Sequence, residues 1–275
     1  MAFINKHCYR RQLSQLIMKT NRLIIIRHGE SEFNLKNLFC GWHDAPLTQK
    51  GVHNACSITA AALIKARLEI DKVYCSALYR ARHTAEMVLC EMKCANVPVV
   101  VDWRLCERHY GNLTGFNKRE MADRYGEQLV QTWRRGYHAV PPAITVDNPY
   151  YYEICNNLIF SEVPAGKFPL SESMAMCVER IKPALEEIKQ DVLKGTRVLI
   201  CTHGTVVRAL VNQLEGLSEA EVEKINIVNS VPIVYEFNMQ TGERIGSMTY
   251  LGDPEYIRKK TAQVASLGER SSEKS

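Results

Sequence analysis

The 275-residue sequence contains no apolar stretch of the ~20 residues that a membrane-spanning helix requires. It also lacks the repeated short-spaced cysteine pairs of zinc sites and disulfide frameworks, although it has 10 cysteines. We interpret these as reduced thiols and predict a cytoplasmic protein with no bound metal and no membrane partner. The formal net charge is only +5, and no long basic stripe is present. The sequence therefore argues against nucleic-acid binding and favours small anionic ligands.

Acidic residues are absent before Glu30, whereas basic residues recur there and Leu13, Leu16 and Ile17 share one helical face. This composition is typical of a mitochondrial transit peptide, but short basic extensions also occur without any targeting role. Both interpretations stay open. We predict a basic N-terminal extension over residues 1–20, one domain over residues 21–265 and a flexible polar tail over residues 266–275.

Strand-like and helix-like segments alternate along the predicted domain. The patterns predict helices from Gln49 to about Ala66 and from about Glu172 to Lys194. With 46% hydrophobic residues, the chain can build one large core. We therefore predict a three-layer α/β fold, with a mostly parallel sheet covered by helices on both faces. Residues 111–168 look less regular and are predicted to form a cap over the functional site.

Two short apolar runs each end at a histidine followed by a glycine. Residues 23–26 lead to Arg27, His28 and Gly29, and residues 198–201 lead to Thr202, His203 and Gly204, with Arg208 further on. Neighbouring parallel strands would place both imidazoles at the carboxyl edge of the sheet, where α/β folds bind ligands. Neutral imidazole is a nucleophile near neutral pH, and guanidinium fits phosphate oxygens two at a time. A polar strand cap would explain either motif alone, but their repetition favours phosphoryl-group chemistry.

A central block, WRLCERHYG at residues 103–111, places Glu107 between basic and aromatic side chains. A carboxyl group beside a bound anion can exchange a proton with a substrate hydroxyl, although a loop salt bridge is the simpler alternative. Arg80 opens a predicted helix, whose N-terminus favours phosphate. Arg134 and Arg135 form a further basic cluster, which as an isolated pair would more often be solvated surface.

These motifs together resemble the cofactor-dependent phosphoglycerate and bisphosphoglycerate mutases of the histidine phosphatase superfamily. The resemblance extends from about Arg22 through residues 237–252. The motifs that carry it are RHGES (27–31), FCGW (39–42), ERHYG (107–111), LTG (113–115), WRR (133–135), SES (171–173), HG (203–204), LEGLS (214–218) and VPIVYE (231–236).

The resemblance implies a glycolytic and gluconeogenic isomerase that interconverts 3-phosphoglycerate and 2-phosphoglycerate through a phosphohistidine primed by 2,3-bisphosphoglycerate. It implies small phosphorylated three-carbon acids as ligands and assembly as a homodimer or tetramer. By position, His28 corresponds to the phosphorylated nucleophile, Glu107 to the proton shuttle, and Arg27, Arg80 and His203 to the phosphoryl cradle. The corresponding substrate-binding positions are Ser31, Asn34, Cys40, Gly41, Arg108, Tyr110, Lys118, Arg134, Arg135, Gly204 and Thr205.

Within this resemblance, Ser31, Gly41 and Thr114 favour the mutase over the bisphosphoglycerate synthase, while Cys40 points weakly the other way. The chain departs from the family pattern at Thr205, where asparagine is usual, and at residues 156–160, which lack a usual basic pair. The alternatives are therefore a synthase or phosphatase, or a catalytically weakened paralogue that acts by binding.

Overall fold

A computed structural model describes residues 19–265; the predicted tail and nearly all of the predicted N-terminal extension lie outside the described residues. Its six-stranded sheet has the order β3-β2-β4-β1-β5-β6. Strands β1 to β4 run parallel, β5 is antiparallel to β1, and β6 is antiparallel to β5. The predicted mostly parallel sheet is confirmed. The strands are β1 Thr20–Arg27, β2 Lys72–Ser76, β3 Val99–Asp102, β4 Val198–Thr202, β5 Ile233–Asn238 and β6 Arg244–Tyr250.

Eleven α-helices occur within the described residues, and none of them is both long and apolar enough to cross a bilayer. A π-helical segment, Ala55–Ala60, joins α2 to α3, so the helix predicted from Gln49 to about Ala66 is present but distorted. The second predicted helix is α8, which begins after the N-cap Ser173. The helices are α1 Glu32–Leu35, α2 Gln49–Asn54, α3 Ala61–Lys65, α4 Tyr79–Glu91, α5 Lys118–Tyr125, α6 Glu127–Arg135, α7 Tyr151–Cys155, α8 Met174–Leu193, α9 Gly204–Glu215, α10 Glu219–Lys224 and α11 Pro254–Ala265.

Both faces of the sheet are covered, as the alternation along β1 demonstrates. Leu23 and Ile25 pack into a core formed with α8 and α9. Ile24 and Ile26 point to the opposite face and pack with the π-helical segment, α3 and α4. Successive side chains of a strand point to opposite faces, so one continuous apolar run supplies both cores.

The register of β1 and β4 fixes the positions of the two histidines. Arg27 pairs with Thr202, and the next residue in each strand is His28 or His203. The His28 N–H also donates to the Thr202 carbonyl at 2.9 Å. Both imidazoles therefore leave the sheet at the carboxyl ends of neighbouring parallel strands.

Residues 111–168 contain α5, α6 and α7 together with two short 3₁₀ segments, so the region predicted as less regular is richer in helix than expected. Met121, Ala122 and Val130 of α5 and α6 pack on Phe39 and Leu113. These short helices depend on this small apolar contact, which a local reading of the sequence does not reveal.

A close approach of two backbones supports the loop that carries His28. A Cβ on Gly51 of α2 would lie 2.1 Å from the Glu30 carbonyl oxygen, and a Cβ on Gly29 would lie 2.5 Å from the Gly51 oxygen. Only glycine permits this contact at both positions. Helix α2 therefore packs directly against the backbone beside His28.

Candidate active site

A cavity of about 280 Å³ opens at the carboxyl ends of β1 and β4. Ser31, Arg108 and His203 are fully buried and lie outside its lining. The other predicted site residues all line it: Arg27, His28, Asn34, Cys40, Gly41, Arg80, Glu107, Tyr110, Lys118, Arg134, Arg135, Gly204 and Thr205.

The His28 ring is held in one tautomer by its own loop. Its Nδ1 lies 2.6 Å from the Gly29 carbonyl oxygen, and a carbonyl can only accept. Nδ1 therefore carries the proton, and Nε2 keeps its lone pair. Burial, and then the charges of Arg80 and Arg27, hold the pKa of His28 well below its usual value. The imidazole is thus neutral and nucleophilic at neutral pH.

His203 contacts the His28 ring edge-on, with ring centroids 5.0 Å apart. Its Nε2 lies 2.7 Å from the Ser76 hydroxyl, while its buried Nδ1 has no hydrogen-bond partner in the described part of the chain. Burial, and then the Arg80 charge, lowers the pKa of His203, so this ring is also neutral. When Ser76 donates to Nε2, the proton of His203 lies on Nδ1 and can be donated to a ligand oxygen.

Two arginines flank the histidines in different ways. Arg80 is 1% exposed, and its guanidinium donates to the Gly41 and His43 carbonyls at 2.8 Å each, which fixes that loop. Arg27 donates to the Ile227 carbonyl at 2.7 Å, while its buried Nε has no partner among residues 19–265. Arg27 therefore keeps a donor available for an anion.

Glu107 is held at the cavity by backbone amides from two separate segments. Its Oε1 accepts from the N–H of Arg108 at 2.9 Å and from the N–H of Thr205 at 3.2 Å. The Trp42 indole donates to the Glu107 carbonyl at 2.6 Å and anchors its backbone. The carboxyl group is consequently oriented rather than tied into a surface salt bridge, which removes the simpler alternative for this residue.

The basic cluster of residues 134–135 is not a solvated surface. Arg134 is 9% exposed, and the Arg135 guanidinium donates to the Asn226 side chain at 2.6 Å. Arg108 donates to the backbone of Trp133 and Arg134, but its buried Nε and Nη1 have no partner among the described residues. Buried guanidinium nitrogens without partners mark a place for anionic ligand groups.

Ser31 and Cys40 occupy supporting positions. The Ser31 hydroxyl caps α1 by accepting from the Asn34 N–H at 3.2 Å and also contacts the Asn34 amide oxygen. It therefore orients the cavity-lining Asn34 instead of facing the cavity itself. The Cys40 thiol donates to the His43 carbonyl at 3.4 Å, and burial raises its pKa.

Lys118 introduces a titratable cation into the cavity. Its ammonium donates to the Leu38 carbonyl at 2.6 Å, and burial, reinforced by the Arg134 charge, lowers its pKa to about 7. The charged form that attracts anions exists below this pKa and is lost above it. An anion bound beside Lys118 would favour the charged form and raise the pKa again.

We expect the affinity of the cavity for sulfate to fall from about pH 6 to about pH 8, by up to about tenfold per pH unit above the pKa. Sulfate stays dianionic throughout this range, so any change in affinity comes from titration of a protein group. Calorimetric titration across the range would measure it. Lys118→Arg, which stays charged, should abolish the decline. An identical decline in this variant would show that another group is responsible.

Several cavity residues were not among the sequence-predicted set: Glu30, Lys50, Arg208, Asn229, Tyr256 and Lys260. Arg208 lies three residues after Thr205 on α9, and the sequence places it behind the second His-Gly motif without assigning it to the site. Tyr256 and Lys260 belong to α11, far along the chain, and no local pattern connects them to the site. Residues 19–265 contain no group of three or more His, Cys, Asp or Glu side chains placed to hold a metal ion.

A family model described as "Histidine phosphatase superfamily (branch 1)" matches residues 23–153 and 151–244. A 2,3-bisphosphoglycerate-dependent phosphoglycerate mutase of Hamiltonella defensa is 40% identical over 253 residues, covering 91% of this chain and 99% of that protein. The chain belongs to this mutase family. A phosphoglycerate mutase of the same description from Treponema denticola is 41% identical, covering 90% of this chain and 99% of its own length.

Solved structures share the fold of this chain. A mycobacterial glucosyl-3-phosphoglycerate phosphatase aligns with a TM-score of 0.60 at 20% identity, covering 84% of this chain and 97% of that one. An alpha-ribazole phosphatase from Shigella flexneri aligns with a TM-score of 0.58 at 21% identity, covering 84% and 96%. At this level of identity the likeness concerns the fold alone.

Proposed function

We propose that the protein interconverts 3-phosphoglycerate and 2-phosphoglycerate through a phosphohistidine at His28, which 2,3-bisphosphoglycerate primes. The observation that carries the proposal is the His28 imidazole, neutral, with Nε2 unprotonated, beside Arg27, Arg80 and His203. The names of the two relatives at about 40% identity supply the substrate class.

The polar atoms in the cavity lining and in the buried residues around it fit a three-carbon acid that carries several anionic groups. Around His28, the Nε of Arg27 is a buried donor without a partner in the described chain, and so is the Nδ1 of His203 when Ser76 donates to its Nε2. A second set of such atoms is the buried Nε and Nη1 of Arg108, which also lack partners among the described residues. We assign the first group to the transferred phosphoryl group and the second to the carboxylate or second phosphate. Bound 2,3-bisphosphoglycerate would supply the phosphoryl group that primes His28.

The chemistry follows from the placement of His28 and Glu107. His28 Nε2 attacks phosphorus, the bond from phosphorus to the ester oxygen breaks, and the leaving oxygen takes a proton from the Glu107 carboxyl group. In the second half of the cycle, Glu107 accepts the proton of the other hydroxyl as that oxygen attacks the phosphohistidine. The positive charges of Arg27 and Arg80 offset the negative charge that gathers on the phosphoryl oxygens.

Thr205 is compatible with this proposal although the family usually has asparagine there. Its backbone N–H donates to Glu107, and that contact does not depend on the side chain. The segment 156–160, which lacks the usual basic pair, does not line the cavity. Both departures therefore leave the nucleophile and the carboxyl group in place.

The decisive experiment follows conversion of 3-phosphoglycerate to 2-phosphoglycerate by the purified protein, with and without 2,3-bisphosphoglycerate. We expect turnover that depends on the bisphosphate, together with an acid-labile phosphohistidine. Release of inorganic phosphate faster than isomerisation would assign the protein to the phosphatase alternative. Absence of turnover in a folded sample that binds 3-phosphoglycerate would support the binding paralogue instead.

Cytoplasmic location and assembly as a homodimer or tetramer remain predictions that accompany this proposal. Light scattering of the purified protein would determine the number of subunits, and cell fractionation would determine the location.

A further inference from the structure

The guanidinium of Arg208 has no role in the chemistry described so far. Arg208 lies on α9, one turn after Gly204, is 6% exposed and lines the cavity. A cation that is buried to this extent requires compensation, because burial without a partner costs several kcal/mol. Its contacts therefore indicate what it is placed to bind.

These contacts leave one side of the Arg208 guanidinium unsatisfied. Nη2 lies 3.4 Å from the Thr205 hydroxyl, and buried Nη1 has no hydrogen-bond partner within the described residues. Burial, and then the charge of Arg135, lowers the pKa of Arg208 to about 10; the Arg108 charge acts in the same direction, and Tyr110 and Glu107 offset these effects only in part. Nearby cations cannot compensate a buried cation. An anionic ligand group can.

Thr205 connects Arg208 to the proton-transferring carboxyl group. Its backbone N–H donates to Glu107 Oε1 at 3.2 Å, and its hydroxyl lies 3.4 Å from Arg208 Nη2 and 3.5 Å from the Tyr110 hydroxyl. One residue thus sets the position of Arg208 relative to the place where the substrate hydroxyl must react. Both side-chain contacts are long, as is common before a ligand tightens a site.

We propose that Arg208 is a specificity-determining residue that binds the second anionic group of the substrate through Nη1, and that Thr205 is the positioning residue that holds its guanidinium. This inference rests on the mutase function proposed above. The Thr205 hydroxyl accepts from Arg208 Nη2 and can donate to Tyr110. A ligand with only a phosphoryl group would leave Nη1 unpaired, so the site would discriminate against it.

The test compares two ligands of equal chain length, 3-phosphoglycerate and glycerol 3-phosphate, of which only the first has a carboxylate. Calorimetry gives the dissociation constant of each, and their ratio measures selection for the second anion. In Arg208→Gln we expect this ratio to fall by roughly 10-fold to 100-fold, through weaker binding of 3-phosphoglycerate. In Thr205→Val, which keeps the backbone N–H, we expect a fall of about 3-fold to 10-fold.

Arg22→Gln serves as the matched control, because Arg22 lies on the exposed surface of β1 and pairs with Glu236. It should leave the ratio unchanged. Arg208→Lys keeps the positive charge but loses the planar guanidinium with its paired donors, so it should give an intermediate ratio. This variant can be measured if Arg208→Gln does not fold.

Equal weakening of both ligands in Arg208→Gln would overturn the proposal, since Arg208 would then act on the shared phosphoryl group. An unchanged ratio in every Arg208 variant would overturn it as well. The mutase function is tested by a different measurement, the isomerisation assay. A wild-type protein that binds 3-phosphoglycerate selectively but does not isomerise it would contradict that function and still support the role of Arg208.

Discussion

Replacing His28 by alanine should lower turnover of 3-phosphoglycerate by about 10⁴-fold or more, because the nucleophile that accepts the phosphoryl group is removed. The phosphohistidine should disappear at the same time. Steady-state assay, together with acid-quenched mass spectrometry of the phosphorylated protein, measures both effects. The substrate should still bind, since the arginines that contact its anionic groups are unchanged.

Two further variants make this result interpretable. His28→Asn retains an amide N–H that can replace the Nδ1 contact with the Gly29 carbonyl, so its fold should be preserved while its activity is lost. His138→Ala is the matched control, because that side chain is 72% exposed and pairs with Glu219 at the surface. Retention of more than a few per cent of activity in both His28 variants would contradict the phosphohistidine mechanism.

Glu107→Gln should lower kcat for 3-phosphoglycerate by about 10²-fold to 10⁴-fold, the usual range for loss of a general acid and base. Glutamine keeps an oxygen that can accept from the Arg108 and Thr205 amides, so the local structure should survive. It cannot exchange the proton. Phosphorylation of His28 by p-nitrophenyl phosphate, whose leaving group needs no proton, should slow much less.

The contrast between these two phosphoryl donors is the measurement that isolates proton transfer. Glu186→Gln, at an exposed position of α8, is the matched control and should leave both rates unchanged. If Glu107→Gln slowed both donors equally, Glu107 would be acting by position or charge, and another group would have to move the proton.

The parts of the fold that could be predicted from sequence are those with a strong local signal. The apolar runs before His28 and His203 predicted β1 and β4, and the pattern from about Glu172 to Lys194 predicted α8. Strands β5 and β6 were not predicted, because their antiparallel addition beside β1 depends on long-range pairing. The π-helical segment in the first long helix likewise has no local signal in the sequence.

The candidate site likewise contains residues with a local sequence signal and contacts that depend on long-range pairing. The motifs around His28, Glu107 and His203 identified residues that the fold brings together. Sequence could not reveal that Ser31 would cap α1, since that outcome depends on which face of a short helix is covered. Nor could it connect Ser76 with His203, because this contact joins residues 127 positions apart through the pairing of β2 and β4.

The crowding of guanidinium groups at the cavity also affects how the protein behaves in different buffers. Burial lowers the pKa values of Arg134, Arg135 and Arg208, and the charges of neighbouring arginines lower them further, so folding without an anion places like charges together at an energetic cost. Any anion that binds only the folded state stabilises it, by about 2.7 kcal/mol at a concentration 100 times its dissociation constant. Melting temperatures measured in phosphate or sulfate will therefore combine the intrinsic stability of the chain with occupancy of its cavity. A substitution that weakens anion binding would then resemble a folding defect, and chloride-only buffers are the proper reference.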